Sequence, residues 1–212
     1  MHSDPEQQDS QQETGGDHPH EHHLPGTNAH ANGTTNGQAG MAGTSMFELH
    51  APLLRRNGYS PVPIEPGEKR PLGAIGDWNR LRATPLTDDD IARVGKMYPY
   101  AGVGVVGGYR GLVPIDIDTE DQEIRAAIDR VLPDYLVAKR GRRGFTVFYR
   151  DPKGLIRPRK FKKADGSMIM ELLTTGQVVI PPTLHPETQR PYQWVTEYTL
   201  LQVHIDELPE LY

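Results

Sequence analysis

Two acidic residues lie one pleat apart inside an apolar stretch, Gly111-Leu-Val-Pro-Ile-Asp-Ile-Asp118. If this stretch is a β-strand, Asp116 and Asp118 point to one face, and Ile115 and Ile117 point to the other. Acidic residues are depleted in strands, and two like charges this close repel each other. The pair therefore predicts a nearby cation, for which a divalent metal ion with oxygen ligands is the leading candidate.

The same acids have a simpler structural explanation. Residues 118–123, Asp-Thr-Glu-Asp-Gln-Glu, have the composition of a first helical turn, in a helix that we predict to continue to Val131. Capping would account for Asp118 or Thr119, but it leaves Asp116 without a role. Metal or phosphate chemistry and helix capping both stay open on this stretch alone.

Glu171 is a third acid in an apolar setting, within Met168-Ile-Met-Glu-Leu-Leu173. A buried glutamate needs a cation, a metal ion or solvent on its face of the strand. If its strand lies beside that of Asp116, three carboxylates converge, which is enough to hold two divalent cations about 3.5–4 Å apart for phosphoryl transfer. The alternative is a glutamate on the solvent-exposed face of a sheet.

Positive charge is concentrated between Lys139 and Lys163, where eleven Lys or Arg accompany one acid, Asp151. Such a concentration is typical of a protein that binds a phosphate backbone or a triphosphate. Arg140, Arg142 and Arg143 lie among glycines, where guanidinium groups and backbone amides can both reach phosphate oxygens. A solvated basic surface without a ligand is the alternative.

Two further motifs have competing explanations. The glycine-rich stretch Tyr100-Ala-Gly-Val-Gly-Val-Val-Gly-Gly108 matches neither the dinucleotide fingerprint nor the P-loop pattern. Close packing in a strand, followed by a hairpin turn at Gly107-Gly108, is favoured over a phosphate-binding loop. His185, in Thr183-Leu-His-Pro186, has no Ser or Cys close to it in sequence and is either a triphosphate contact or a loop histidine.

Composition divides the chain at about residue 45. Residues 1–45 hold six of the 28 acidic residues and none of the 23 Lys and Arg, which leaves 22 acids and 23 bases for residues 46–212. So polar a segment cannot bury enough apolar surface to offset the entropy of ordering. We predict a disordered acidic tail over residues 1–45 and one folded domain over residues 46–212.

The sequence has no cysteine, which excludes disulfides, zinc–thiolate sites and thiol nucleophiles. No apolar run reaches membrane-spanning length, and the N-terminus has no signal pattern. We therefore expect a soluble, intracellular protein of the cytoplasm that has no membrane partner.

Periodicity and turn residues predict an α+β domain. The expected helices are residues 46–57, 87–97 and 121–131, the second capped by Thr87 with Asp90. Besides an extended segment over residues 59–64 and a turn-rich loop over residues 65–71, the expected strands are residues 135–139, 145–150, 167–173 and 177–180. Strands joined by such short connections are expected to be antiparallel neighbours.

Taken in order, these segments resemble the N-terminal primase-polymerase (prim-pol) domain of bifunctional replication proteins, in the archaeo-eukaryotic primase superfamily. The resemblance covers roughly residues 50–200. It is carried by Gly58-Tyr-Ser-Pro-Val-Pro-Ile64, Lys69-Arg-Pro71, Trp78, Gly102-Val-Gly-Val-Val-Gly107, Leu112-Val-Pro-Ile-Asp-Ile-Asp118, Phe145-Thr-Val-Phe-Tyr-Arg150, Glu171-Leu-Leu173, Val178-Val-Ile-Pro-Pro-Thr-Leu-His-Pro186 and Tyr192-Gln-Trp194.

Three motifs of that family map onto this sequence. The first, two acids separated by one residue, matches Asp116 and Asp118, and the third, a single later acid, matches Glu171. The second, a small residue with a histidine two positions later, falls on Gly144 and Thr146, so a threonine stands where the family has histidine. Threonine can donate one hydrogen bond but carries no charge.

The resemblance implies a prim-pol fold, in which an RRM-like antiparallel sheet packs against a small α/β unit. It implies a DNA primase and polymerase of phage- or plasmid-type replication that uses nucleoside triphosphates, a single-stranded DNA template, two Mg²⁺ or Mn²⁺ ions and a fused or separate replicative helicase. The catalytic and metal-binding residues would be Asp116, Asp118 and Glu171. The nucleotide-binding residues would be Lys69, Arg142, Arg143, Thr146 and His185, and the DNA-binding residues Lys139, Arg140, Arg150, Arg157, Arg159, Lys160, Lys162 and Lys163.

Two alternatives to this function stay open. A metal-dependent nuclease or phosphohydrolase would use the same carboxylate chemistry but would need no triphosphates. A non-catalytic DNA-binding replication module would bind DNA without the acids and would incorporate no nucleotides.

Overall fold

The computed structural model describes residues 45–212. The tail predicted over residues 1–45 lies outside this range except for Ser45, which caps the first helix. No helix in the described range is both long and apolar enough to cross a bilayer.

Three α-helices form where the sequence provides capping residues, and their bounds are Met46–Arg56 (α1), Asp88–Met97 (α2) and Gln122–Val131 (α3). The Ser45 side chain accepts a hydrogen bond from the backbone N–H of Glu48 (3.0 Å). Thr87 and Asp90 form the predicted capping box of α2. Asp121 caps α3. Asp118 and Thr119 are therefore not needed as caps, and the capping explanation of the acid pair is wrong.

Nine strands follow one another in the described chain: Pro61–Ile64 (β1), Gly102–Val106 (β2), Leu112–Ile117 (β3), Ala138–Arg140 (β4), Phe145–Arg150 (β5), Arg159–Lys162 (β6), Met168–Leu172 (β7), Gln177–Val179 (β8) and Gln193–Trp194 (β9). They form a three-stranded sheet in the order β1-β2-β8 and a six-stranded sheet in the order β6-β7-β3-β5-β4-β9. Every pairing between these strands is antiparallel. Helices and antiparallel sheets together confirm the α+β class.

Two predicted connections are wrong. The turn at Gly107-Gly108 joins β2 to β3, which lie in different sheets, so it does not close a hairpin. Residues 174–176 likewise carry the chain from β7 in the larger sheet to β8 in the smaller one. Short connections favour antiparallel neighbours only when both strands belong to one sheet, and here each connection passes between sheets.

Apolar residues pack on both faces of the six-stranded sheet. On one face, Ile128 of α3 packs with Val113, Ile115 and Ile117 of β3. On the other face, Leu112 and Phe148 join the core formed with α1, α2 and the three-stranded sheet. Because side chains alternate along β3, its even-numbered residues share the face that carries Leu112, and Asp116 lies on that face.

Gly107 allows the chain to pass between the two sheets. A Cβ atom at this position would lie 1.8 Å from the backbone oxygen of Leu173. We predict that Gly107→Ala destabilises the fold by about 1–3 kcal/mol, because the backbone would have to move. Thermal denaturation measures this loss. Gly73→Ala is the matched control, because no atom lies within 4 Å of the added methyl group there, and equal melting temperatures for the two variants would contradict the prediction.

Candidate active site

One row of directly paired positions crosses all six strands of the larger sheet. From one edge to the other it consists of Lys160, Glu171, Asp116, Thr146, Lys139 and Trp194. Directly paired residues of antiparallel strands project to the same face of a sheet. The row therefore places Glu171 and Asp116 side by side, with Thr146 next to Asp116. One lysine, Lys160 or Lys139, lies at each end of this group of three.

The acid-bearing face opens into a pocket of about 330 Å³. The residues that line it include most of the predicted nucleotide and metal ligands, together with aromatic and polar neighbours: Lys69, Asp116, Asp118, Lys139, Gly141, Arg142, Arg143, Phe145, Thr146, Leu173, Gln177, Val178, Val179, His185, Glu187 and Tyr192. Residues from positions 69 to 192 thus meet in one cavity. Glu171 is absent from this lining, although it is paired with Asp116 across β3 and β7.

Thr146 makes a contact with Asp116 that the sequence did not predict. Its hydroxyl donates a 2.5 Å hydrogen bond to Oδ1 of Asp116, and a threonine hydroxyl has only one proton to donate. While that bond is in place, Thr146 cannot donate to a phosphate. It orients the Asp116 carboxylate, and the predicted contact of Thr146 with a nucleotide would require that hydrogen bond to break.

Asp118 follows the end of β3, and burial and neighbouring charges shift its pKa. Partial burial, followed by repulsion from Asp116, raises its pKa above the ordinary value. Glu171 contributes in the same direction, and Lys69 and Lys139 oppose the shift. The carboxylates therefore repel one another, and a cation bound between them would relieve that repulsion.

The three predicted metal ligands fit a hard divalent cation in chemical type, because all of them are carboxylates that lie on two adjacent strands or directly after one of them. Glu171, however, makes a 3.2 Å salt bridge to Lys160. Within residues 45–212, no three His, Cys, Asp or Glu side chains are gathered closely enough to hold a metal ion as they stand. Asp116 and Asp118 face the pocket, and binding through Glu171 requires it to give up Lys160.

Lys139 lies inside the pocket, where we had expected a residue that follows the DNA backbone. It is only 7% exposed, and its ammonium nitrogen lies 4.5 Å from the centre of the Tyr192 ring. Burial lowers the pKa of Lys139 to about 8, although Asp116 and Asp118 act in the opposite direction. A buried position cannot track an extended strand, so we remove Lys139 from the DNA-binding set.

His185 is buried at the pocket wall. Its Nδ1 accepts a hydrogen bond from the backbone N–H of Glu187 (3.2 Å), which leaves Nε2 as the protonated nitrogen of the neutral ring. Burial lowers the pKa of His185, and the charges of Lys69, Arg142 and Lys139 lower it further. His185 is thus a neutral hydrogen-bond donor surrounded by three cations.

The remaining predicted nucleotide ligands come from loops that are held in place. The loop carrying Lys69 is closed by a backbone hydrogen bond from Glu65 to Arg70 (3.0 Å), and the Gln177 side chain donates to the Lys69 carbonyl. Arg142 forms an ion pair with Glu187, and the neighbouring Arg143 is exposed.

Gly144 allows the arginine loop to lie against the end of β3. Its φ angle is 55°, and a Cβ atom there would lie 1.8 Å from the backbone oxygen of Ile117. The small residue of the second motif therefore has a steric reason at this position.

Of the predicted DNA-binding residues, Arg140, Arg157, Arg159 and Lys162 are exposed. Lys160 and Lys163 are paired with Glu171 and Asp121. Arg150 is bonded to Asp206 and Glu210, and its side chain is only 20% exposed. Arg150 therefore anchors the C-terminal segment, and we remove it from the DNA-binding set.

Sequence reasoning missed two features of the site. Tyr192 lines the pocket beside Lys139 and lies 5.3 Å, centre to centre, from the His185 ring. The string Arg159-Lys-Phe-Lys162 forms strand β6 at the sheet edge. The alternating pattern of this string, followed by the turn residues Ala164-Asp-Gly166, is typical of a strand. We did not predict the strand because the string is so rich in positive charge.

Fold and pocket define an α+β protein whose pocket combines paired carboxylates with several cations, a combination suited to a phosphate-bearing substrate. A family model described as "Bifunctional DNA primase/polymerase, N-terminal" matches residues 51–211. The chain belongs to this family, and the resemblance seen in its sequence is confirmed. The family description associates DNA priming and polymerisation with the chain. No curated protein matches the sequence.

The buried ammonium of Lys139 should cost stability. We predict that Lys139→Met raises the free energy of unfolding at pH 7 by about 1–3 kcal/mol, because methionine fills similar space without a charge to desolvate. The wild-type pKa falls from 10.5 in the unfolded chain to about 8 in the fold, so the unfolded chain binds more protons between these pH values and wild-type stability rises there.

Thermal denaturation from pH 7 to pH 10 tests this prediction. The advantage of Lys139→Met should be largest below pH 8 and should shrink as the pH approaches 10. Lys96→Met, on the exposed surface of α2, is the control and should match the wild type. A Lys139→Met protein that is less stable than the wild type at pH 7 would refute the assignment.

Proposed function

We propose that this protein is a template-directed nucleotidyltransferase that synthesises primers, and extends them, from nucleoside triphosphates on single-stranded DNA in phage- or plasmid-type replication. The observation that carries the proposal is the pocket in which Asp116 and Asp118 face Lys69, Arg142 and Lys139. Carboxylates suited to metal ions, set opposite cations suited to phosphates, are what a triphosphate substrate requires.

In the reaction, the 3′-hydroxyl oxygen bonds to the α-phosphorus of the incoming nucleotide. The bond from that phosphorus to the bridging oxygen breaks, pyrophosphate leaves with the electron pair, and the hydroxyl proton passes to solvent. Asp116, Asp118 and Glu171 would hold two Mg²⁺ or Mn²⁺ ions. When bound, such ions activate the hydroxyl and neutralise charge on the leaving group.

The chain's own residues supply orientation and charge for this reaction. Thr146 holds one oxygen of Asp116, so the carboxylate keeps its direction towards the pocket. Lys69, Arg142, Arg143 and the neutral donor His185 would bind the triphosphate. Arg142 is already paired with Glu187 and would exchange that partner for phosphate oxygens.

The exposed cations of the edge strand of the larger sheet would bind the template strand where it passes around that edge, because Arg159 is paired with Leu172 and projects from the face opposite to Asp116. Arg159 and Lys162 belong to β6, which is the edge strand next to β7. The guanidinium of Arg159 lies 4.8 Å from the centre of the Phe161 ring. Such a surface binds the phosphate backbone of DNA, and the affinity depends strongly on salt concentration and little on base sequence.

The first test measures incorporation of labelled nucleotides on unprimed single-stranded DNA with Mg²⁺ or Mn²⁺. We predict that Asp116→Asn/Asp118→Asn lowers synthesis by at least about 10²–10³-fold, because neutral amides bind divalent cations much more weakly than carboxylates do. The variant should stay folded, since the exchange removes repulsion between the two acids.

The same experiment separates the alternatives. Full synthesis by the double variant would refute the assignment of these acids. Degradation of DNA without any need for triphosphates would favour a nuclease. No product from the wild type, with DNA binding retained by both proteins, would favour the non-catalytic module.

A second prediction concerns the template surface. Arg159→Gln/Lys162→Gln should weaken binding to single-stranded DNA and reduce the slope of log K against log salt concentration by about 0.7 for each lost phosphate contact. Fluorescence anisotropy titrations at several salt concentrations measure the slope. Lys96→Gln, which removes one positive charge on α2, is the control, and a slope change per removed charge as large as that of the double variant would contradict this surface.

A further inference from the structure

Lys139 is a buried cation that no described residue neutralises at close range. Among the ion pairs and hydrogen bonds of residues 45–212, none involves its ammonium group. Its one close contact is the face of the Tyr192 ring at 4.5 Å. An ammonium has three protons to donate, and holding it in the pocket without acceptors brings the fold no evident benefit.

The residues around Lys139 are closely packed. Tyr192 is 5% exposed, and its backbone N–H donates to the Thr183 carbonyl (2.9 Å). A Cβ atom on Gly141 would lie 2.7 Å from the Tyr192 ring, so only glycine lets the arginine loop approach this close. The aromatic ring therefore fixes the ammonium by cation–π attraction and leaves its donors for the pocket.

Lys139 lies in the same row of the six-stranded sheet as Asp116. It is paired with Thr146, which is paired with Asp116. Strands lie about 4.8 Å apart, so the backbones of Lys139 and Asp116 are separated by about 10 Å, with the hydroxyl-bearing Thr146 between them. Lys69 and Arg142 come from exposed loops at the rim.

We propose that Lys139, held by the ring of Tyr192, binds the phosphate at which bonds are exchanged, while Lys69 and Arg142 bind the phosphates nearer to the rim. The inference rests on the proposed function and assigns a particular phosphate to a particular cation. Thr146 carries no charge, and Lys139, its partner on the neighbouring strand, supplies the positive charge next to it.

Steady-state synthesis by Lys139→Met tests this role. Charge that builds up on the reacting phosphate is stabilised mainly in the transition state, so kcat should fall about 10²–10³-fold while KM for the nucleotide changes by only a few fold. Lys139→Arg, which keeps the charge, should retain more activity than Lys139→Met. Lys96→Met should behave like the wild type, and the melting temperature of each variant shows that it is folded.

Tyr192→Leu removes the ring face and keeps Lys139. Like Lys139→Met it should lower kcat, but only by about 10-fold, because the ammonium group remains and loses only its fixed position. A Tyr192→Leu protein with wild-type kcat would overturn the part of the inference that concerns the ring.

A binding measurement separates this inference from the proposed function. Inorganic triphosphate, titrated without metal against a fluorescent nucleoside triphosphate analogue, should bind Lys139→Met about two- to four-fold more weakly than the wild type, in line with the small change expected in KM. Equal binding and equal kcat in the two proteins would overturn the role of Lys139. A wild type that binds triphosphate through Lys139 but makes no DNA would overturn the proposed polymerisation and support the phosphate site.

Discussion

Charge balance across the six-stranded sheet is the constraint on which the site depends. Asp116, Asp118 and Glu171 place negative charge on neighbouring strands, and such an arrangement is unfavourable without compensation. Lys160 neutralises Glu171 directly at 3.2 Å, whereas Lys139 acts on Asp116 from two strands away. One acid is thus paired, and the other two face a pocket where a cation would be stabilised.

Antiparallel register makes this arrangement possible. One residue from each strand contributes to the row, and a shift of one residue in any pairing would turn that residue to the opposite face. The opposite face is fully used, because Ile115 and Ile117 pack with Ile128 of α3. Apolar packing behind the sheet therefore determines which residues face the pocket in front of it.

The threonine in the second motif changes how positive charge reaches the site. Thr146 gives its only proton to Asp116, so it stabilises an acid and offers no charge to a substrate. Lys139, on the adjoining strand, carries the charge instead, and it does so at the cost of burying an ammonium group. Retaining a destabilising buried charge in a pocket is typical of a residue kept for function.

The sequence by itself determined the α+β class, the cap at Thr87, the strand of Asp116 and the family, because these depend on local patterns of a few residues. It did not determine that β2 and β3, or β7 and β8, belong to different sheets, since loop length does not reveal which sheet a strand joins. The environments of Lys139 and Arg150 were equally out of reach, because both lie in one basic stretch. Only the tertiary structure placed Lys139 against Tyr192 and Arg150 against Asp206 and Glu210, since burial and pairing depend on residues more than 50 positions away.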